Sequence, residues 1–400
     1  MSMARQELLA SFARTTEEMF APAEFQERLT SGRQLRVKYG IDVTASYLHI
    51  GHAVNLWMMR QLQDLGHKAI LLIGDFTTRI GDPTGRDLLR PVLPQDEIER
   101  NAQAFIEQAR MVLRFDDPCL LEIRRNSEWY EQTRAEELLR LFSMITHTRL
   151  ISRDMFQERI RQGHEIYMHE LLYPVLQGYD SFMLQSDLTI VGSDQLFNEM
   201  LGRFYQERLG QKPQVIITTR ITPGIDGKAK QSKSLGNYIG LGHTPREKFG
   251  RTMKLPDELI AVYLEVYTDV SMAEIAEIKV WLPDDPMRAK LFLAREIVRR
   301  YHGSEVAEQE QAWFLETFSE RAVPRDIPEI HLAAGELSAF EIVKSFFGPR
   351  KSNSDIRRLF EQGAIILNGQ KIVRAEEPVE VRQGDEWRAG KRSWFRVHLQ

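Results

Sequence analysis

The sequence predicts an α/β fold: a doubly wound, mostly parallel sheet in the first half, then an α-helical region, then a small α+β region. Apolar, strand-like runs occupy 35–38, 68–76, 186–191 and 214–219. Between the first two, Ala53, Leu56, Trp57, Leu62 and Leu65 recur at helical spacing. Strand, helix and strand over that distance make a βαβ unit, which implies parallel neighbours. From about Pro245 the period becomes helical and remains so for some eighty residues.

Within the helical region, Asp285-Pro286 precedes Leu291, Ala294, Ile297, Val298 and Tyr301, and Gly303 follows. A capping Asp, a Pro at the first helical position and a Gly past the end are the expected boundary signals. Pro324, Pro328 and Gly335 mark a linker. Beyond it, a short helix is expected at 354–362 and a strand at 364–367. Asn368-Gly369 closes that strand with a hairpin turn.

Composition excludes several classes. Cys119 is the only cysteine among the 400 residues, so neither an intramolecular disulfide nor a cysteine-based zinc site is available. No stretch reaches the roughly 18 uninterrupted apolar residues of a membrane span. Arg5, Glu7, Arg14, Glu17 and Glu18 break up the N-terminus, which lacks a secretory pattern. The expectation is a cytoplasmic protein without a membrane partner. The net charge of −4 is uneven: residues 341–400 hold 12 Lys and Arg against 8 Asp and Glu, leaving 41 against 49 before them. A basic end on an acidic body is compatible with RNA docking.

Two motifs frame the first half. His49-Ile50-Gly51-His52 lies between the first strand and the helix after it. There, free backbone N–H groups and the helix dipole favour anions, and Gly51 lets a planar group approach the backbone. A polyphosphate is the natural guest. Lys228-Ala229-Lys230-Gln231-Ser232-Lys233-Ser234 follows the last strand of the same sheet. Its ammonium groups suit charge that develops on phosphate oxygens in a transition state. Either motif alone is compatible with an ordinary helix cap or a solvated loop; the pair, on one sheet, is specific. A third pattern, Tyr173, Gln177 and Asp180 at i, i+4 and i+7, puts a phenol, an amide and a carboxylate on one helix face.

The two motifs resemble the His-Ile-Gly-His and Lys-Met-Ser-Lys-Ser signatures of class I aminoacyl-tRNA synthetases. The segments Lys38-Tyr39-Gly40-Ile41-Asp42-Val43-Thr44-Ala45, Ile80-Gly81-Asp82-Pro83-Thr84-Gly85-Arg86 and Tyr173-Pro174-Val175-Leu176-Gln177-Gly178-Tyr179-Asp180 narrow the likeness to the bacterial tyrosyl-tRNA synthetase family. The likeness runs from about Leu35 to the C-terminus, where Lys351 to Arg358 and Leu367 to Lys371 resemble a small RNA-binding domain shared with a ribosomal protein.

That resemblance implies a Rossmann-like catalytic domain at 1–225, a mobile lysine-motif loop at 226–245, an α-helical anticodon-binding domain at 246–322, a linker at 323–338 and an RNA-binding domain at 339–400. It assigns Asp180 to the phenol hydroxyl of tyrosine, and Tyr173, Gln177 and Asp82 to its ammonium group, with Lys38, Gly40 and Asp42 lining that part of the site. Asp194, after Gly192, is implied at the ribose, and Gln195 near the carboxylate and α-phosphate. Thr44 and His49 would meet the terminal phosphates, Gly51 and His52 the nucleotide, and Lys230 and Lys233 the developing charge. Lys351, Arg357, Arg358 and Lys371 would meet RNA. The implied partners are L-tyrosine, ATP with the Mg2+ it carries, tRNA(Tyr) and a second copy of the chain. Neither a dedicated protein metal site nor DNA is implied.

The chain also departs from that pattern. Val43 stands for a proline, Tyr47 for an acidic residue, and Thr78-Arg79 for glycine and an apolar residue. Val191 stands for the first of two glycines, Gln231 for methionine, and Arg220 and Thr222 for proline and leucine. Val191 is expected to crowd the nucleotide side, and Arg79 to bring a cation near the pocket. Two alternatives therefore stay open: a paralogue that activates a substituted tyrosine or other aromatic acid, and a catalytically silent RNA-binding paralogue.

Overall fold

The computed structural model describes residues 3–82, 93–232, 235–319, 327–390 and 393–399. Pro83 to Arg86, Lys233, Ser234 and the first part of the expected linker lie outside them. The chain divides into two compact units, Met1–Ala307 and Glu308–Gln400.

The first unit is organised by a six-stranded sheet. Its strands are β1 (Thr16–Phe20), β2 (Arg36–Ile41), β3 (Lys68–Ile73), β4 (Leu121–Arg125), β5 (Leu188–Gly192) and β6 (Val215–Thr219), in the order β1-β6-β5-β2-β3-β4. β1 pairs antiparallel with β6, and the other described pairs are parallel. From β2 the chain moves to one side for β3 and β4, then to the other for β5 and β6. The order thus reverses between β2 and β5, where an open α/β sheet has its ligand crevice.

Alternation along the strands sorts their side chains into two cores. Val37, Tyr39, Leu71, Ile73, Ile190 and Ile217 share one with Ile50, Val54 and Leu62 of the helix Ile50–Asp64. Ile70 and Leu72 share the other with Trp129, Tyr130, Leu176 and Leu184. Two helices on that second face, Met168–Met183 and Leu196–Arg208, approach closely because both carry glycine at the crossing. A Cβ on Gly178 would lie 2.8 Å from Leu201 Cβ, and one on Gly202 would lie 2.6 Å from Ser181 Oγ.

The structure revises several expectations. The strand expected at 68–76 ends at Ile73, because Gly74 runs against Asp42 (a Cβ there would be 2.4 Å from Oδ1) and Asp75–Thr78 turns into a short helix. β1 and β4, at the two edges, were not anticipated. The helical region expected as a separate domain from 246 packs into the first unit: Ile260, Tyr263, Leu264, Leu293 and Ile297 join the same core as the sheet. The helix Pro286–His302 has its expected ends, with Asp285 Oδ1 accepting from Arg288 N at 3.0 Å and Gly303 at φ 87°.

In the second unit, the stretch expected as linker contains β7 (Glu329–Leu332) and β8 (Gly335–Ser338). With β9 (Ile365–Leu367), β10 (Gln370–Ile372), β11 (Pro378–Val381), β12 (Glu386–Ala389) and β13 (Trp394–Leu399) they form a five-stranded sheet, β10-β9-β12-β13-β7, and a β11-β8 pair. The helices Ala339–Phe347 and Asn353–Glu361 cover a core centred on Trp387, Phe395, Ile356 and Phe360. Asn368 at φ 48° and Gly369 at φ 84° make the β9–β10 turn, as the dipeptide predicts.

The crossing at Gly178 positions the second-face helices, so Gly178→Ala should lower stability by about 1–3 kcal/mol through overpacking. Urea denaturation measures this, and an unchanged midpoint would show that the two backbones can separate freely.

Candidate active site

At the carboxyl ends of β2 and β5 opens a cavity of about 410 Å³. It is lined by every site residue that the sequence singles out in the first unit, Lys233 aside. Lys38, Gly40, Asp42 and Thr44 come from β2 and the turn after it, and His49, Gly51 and His52 from the start of the next helix. Asp82 follows β3, Tyr173, Gln177 and Asp180 project from Met168–Met183, Gly192, Asp194 and Gln195 follow β5, and Lys230 follows β6. Lys233 lies outside the described residues. Lys351, Arg357, Arg358 and Lys371 belong to the second unit, where all four are exposed. There Arg357 pairs with Glu376, and Arg358 lies 3.9 Å from Asp355.

The histidine rings lie against each other, tilted by 33° with centroids 3.7 Å apart. The backbone N–H of His49 donates to His52 Nδ1 at 3.2 Å, which leaves the His52 proton on Nε2. Burial, then Lys230, drives His52 down to about 4. Burial, then His52, then Lys230 pushes His49 well below its ordinary value. Both rings are therefore neutral N–H donors at pH 7. Gly51 is needed here: a Cβ would sit 2.9 Å from the His49 ring. The motif is also tied to the chain beyond the lysine segment, since Ile50 N donates to Ile239 O and Leu241 N to Leu48 O.

The opposite end is acidic and buried. Asp180 accepts from Trp129 Nε1 at 3.0 Å and Asn126 Nδ2 at 3.3 Å, and burial raises it to about 7 despite Lys38 and these donors. Tyr173 donates its hydroxyl to Asp42 at 3.0 Å, and Thr77 Oγ1 donates to the other Asp42 oxygen at 2.7 Å. Lys38 lies in the wall with its ammonium already held, 2.7 Å from Ser181 Oγ and 2.7 Å from Glu199 Oε2. From Glu199 the network continues: Gln177 Nε2 donates to Glu199, Asn198 Nδ2 to Gln177 and Gln195, and Gln195 Nε2 to Asp82.

Most departures from the family pattern meet in space. Valine at 43 adds a buried N–H where proline has none, and Thr78 Oγ1 accepts it at 2.9 Å. Arg220 pairs with Glu265 at 3.1 Å, while Thr222 and Gln231 both bond the hydroxyl of Tyr267. Tyr47 packs on Tyr238, with centroids 5.1 Å apart. The cation expected from Arg79 does not line the cavity; its guanidinium is taken by Gln95 at 2.7 Å and Glu131 at 3.4 Å. Val191 does line it, buried at 4 % exposure.

Sequence reasoning missed Asn126, Trp129, Glu199, Asn198, Thr77 and Tyr267. The Asn-x-x-Trp spacing just after β4 was the available signal for the first two, and it required recognising that strand.

A doubly wound sheet with a neutral histidine pair, a lysine segment and a buried carboxylate around one switch-point cavity is the architecture of a class I aminoacyl-tRNA synthetase. Residues 30–319 match the family described as tRNA synthetases class I (W and Y), and the chain belongs to it. It is 42% identical over 382 residues to a tyrosine--tRNA ligase of Symbiobacterium thermophilum, covering 94% of this chain and 92% of that protein. Another, from Thermotoga maritima, is 38% identical over 398 residues, covering 99% and 98%. Among solved structures, a C-terminally truncated mitochondrial tyrosyl-tRNA synthetase of Aspergillus nidulans superposes with a TM-score of 0.63 at 22% identity, covering 78% of this chain and 93% of that one. The tyrosyl-tRNA synthetase of Archaeoglobus fulgidus, solved with L-tyrosine, gives 0.59 at 21%, covering 76% and 99%. At those identities the structures establish the fold.

Asp180 makes a pH signature. Its folded value near 7 exceeds the ordinary 3.8, so between the two the folded chain holds a proton that the unfolded chain gives up. Its contribution to stability therefore falls as pH rises from about 4 to about 7. Asp180→Asn cannot ionise and should gain on the wild type at pH 8 relative to pH 5 in urea melts. An equal difference at both pH values would refute the raised carboxyl.

Proposed function

We propose that this chain activates L-tyrosine with ATP and transfers the tyrosyl group to tRNA(Tyr). The observation that carries the reading is that one cavity joins Asp180, a buried acceptor for a phenol, to the neutral histidine pair and Lys230. The curated relatives, which span nearly the whole chain, carry that activity in their names.

In the first step a tyrosine carboxylate oxygen attacks the α-phosphorus, and the bond to pyrophosphate breaks. No side chain acts as nucleophile; positioning and electrostatic stabilisation do the work. In this reading Asp180 accepts the substrate hydroxyl, while Tyr173, Gln177 and Asp82 surround the ammonium group beside Gly40 and Asp42. Trp129 and Asn126 leave Asp180 with further acceptor capacity that a phenol hydroxyl meets and phenylalanine does not, a discrimination for which tyrosyl-tRNA synthetases are themselves the standard illustration. The wall keeps those groups oriented, since Gln177 is held by Glu199 and Asn198, and Asp82 by Gln195.

ATP enters as its magnesium complex, with Asp194 at the ribose, Gln195 near the α-phosphate and Gly51 and Gly192 against the nucleotide. Thr44, His49 and His52 donate to phosphate oxygens as neutral groups, and Lys230 and Lys233 supply positive charge. In the second step the terminal ribose hydroxyl of the tRNA attacks the adenylate carbonyl and AMP leaves. The exposed Lys351, Arg357, Arg358 and Lys371 of the second unit suit an RNA backbone. We place the enzyme in the cytoplasm; no described helix is long and apolar enough to cross a membrane.

We also propose a homodimer. Leu139 at 67 %, Met168 at 69 % and Ile160 at 47 % exposure lie on neighbouring stretches of the first unit and favour a covered apolar face. Sedimentation should give twice the chain mass, and Leu139→Arg should shift it toward the monomer. A wild-type monomer would refute the dimer.

Amino-acid-dependent ATP–pyrophosphate exchange tests the activity directly. Exchange with tyrosine is expected; exchange only with another aromatic acid would replace the substrate, and none would leave the RNA-binding alternative. Lys233→Ala should cut the exchange kcat by at least about 100-fold with little change in tyrosine affinity. Equal loss in both would end its role at the transition state.

A further inference from the structure

Three positions where the family pattern has apolar side chains carry polar ones here, and all three engage one helix, Ile260–Tyr267. Arg220 reaches Glu265 at 3.1 Å. Gln231 Nε2 donates to Tyr267 Oη at 3.0 Å, and the Tyr267 hydroxyl, with that lone pair taken, hydrogen-bonds Thr222 Oγ1. Gln231 is only 7 % exposed, Thr222 7 % and Tyr267 3 %, so these groups have exchanged water for one another. One turn earlier, Tyr263 donates to Pro223 O at 2.7 Å and fixes the same stretch of chain.

Gln231 sits where several segments meet. Its Oε1 accepts from Ile239 N at 3.3 Å, and Ile239 O accepts from Ile50 N at 2.9 Å, inside the histidine motif. Its neighbour Lys230 crosses the cavity rim to Asp194, 3.3 Å away. A methionine at 231 could make neither bond. The amide therefore ties the lysine segment at once to the helix behind it and to the chain that pairs with His49.

We propose that Tyr267 is a positioning residue for the activation step: through Gln231 it holds Lys230 at the cavity and links that ammonium group to the helix Ile260–Tyr267. This rests on the activity proposed above for its catalytic part, but not for its mechanical part. Without the Tyr267 hydroxyl, Gln231 keeps one of its two anchors, and Lys230 samples positions away from the phosphates. Transition-state stabilisation suffers while the tyrosine pocket, at the far end of the cavity, does not.

The test uses the full chain with Tyr267→Phe, Gln231→Met and the double variant. In tyrosine-dependent exchange each single variant should lose about tenfold in kcat, with tyrosine KM unchanged within twofold. The double variant should lose no more than Gln231→Met alone, because that variant already removes the link to Tyr267. Limited trypsin digestion, read by mass spectrometry, should cut after Lys230 about tenfold faster in Tyr267→Phe than in wild type if opening limits cleavage. Matching thermal midpoints separate this from general destabilisation, and Gln231→Met gives an independent variant if the Phe variant folds poorly. Unchanged cleavage overturns the tether whatever the exchange assay shows. Faster cleavage with unchanged kcat, or losses that multiply in the double variant, overturns the positioning role. Wild-type chain silent with tyrosine would refute the proposed activity, and cleavage would still decide the tether.

Discussion

The ammonium of Lys38, 1 % exposed, lies between Ser181 and both carboxylate oxygens of Glu199, itself 2 % exposed, where no water can replace either partner. Removing one member of such a pair leaves a buried charge alone, at a cost of about 3–5 kcal/mol. The pair joins β2 to two helices that meet through glycines. The remaining Glu199 capacity is spent on Gln177 and Gln214, so the carboxylate also orients the amide facing the cavity. From there an unbroken chain of side-chain bonds passes through Asn198 and Gln195 to Asp82. One wall of the cavity is thus a hydrogen-bonded unit whose geometry is set by a buried ion pair rather than by loop packing.

The departures from the family pattern follow the same logic around the cavity. Replacing proline by valine at 43 exposes a donor to the interior, and an unpaired buried N–H costs more than the bond it could have made is worth. Thr78 meets that donor and passes its own proton to Gly74 O at 2.6 Å, so the substitution adds no orphan group. Replacing methionine and leucine at 231 and 222 would bury two polar groups at a loss, except that Tyr267 serves both. Changes that satisfy one another in contacting sets preserve the site. They weaken the case for a failed catalyst, whose departures would have no reason to match. Val191 has no such polar partner; its buried side chain lines the cavity, and steric fit alone decides its effect.

Legibility in the sequence followed the range of the interactions. The β2–helix–β3 unit, the helix carrying Tyr173, Gln177 and Asp180, the Asp285 and Gly303 boundaries and the Asn368-Gly369 turn depend on residues within a turn or two, and local pattern found them. β1 did not announce itself because Thr16–Phe20 places Glu17 and Glu18 on a sheet edge that solvent reaches. β4 hid for the same reason, with Glu122, Arg124 and Arg125 among its five residues. Glu199 reads as an ordinary helix glutamate until Lys38, 161 positions away, is folded against it. Separating the helical region at 246 was a change of period mistaken for a change of core: its apolar face, through Ile260 and Leu264, completes the sheet's own interior.

The cavity is graded in charge along its length. At one end Asp42, Asp82 and Asp180 line the cavity, while Lys38 is neutralised by Glu199 and contributes no free charge. At the other end the two imidazoles stand 3.7 Å apart between rings, a spacing at which two positive charges would repel strongly. Burial and Lys230 hold both in the neutral form. Neutral N–H donors can stabilise phosphate oxygens without competing with a lysine for the same negative charge. Of the cations that line that end, Arg220 is paired with Glu265 at 3.1 Å, and Lys230 belongs to the lysine segment. Its position depends on Gln231, on the Asn237 amide that donates to Ala229 O at 3.2 Å and Lys230 O at 3.3 Å, and on the pair of Lys230 with Asp194 at 3.3 Å. The two ends of the cavity are held by different devices, a buried ion pair at the Asp180 end and a buried amide at the lysine segment. A substitution at one device can consequently leave the hydrogen bonds of the other in place.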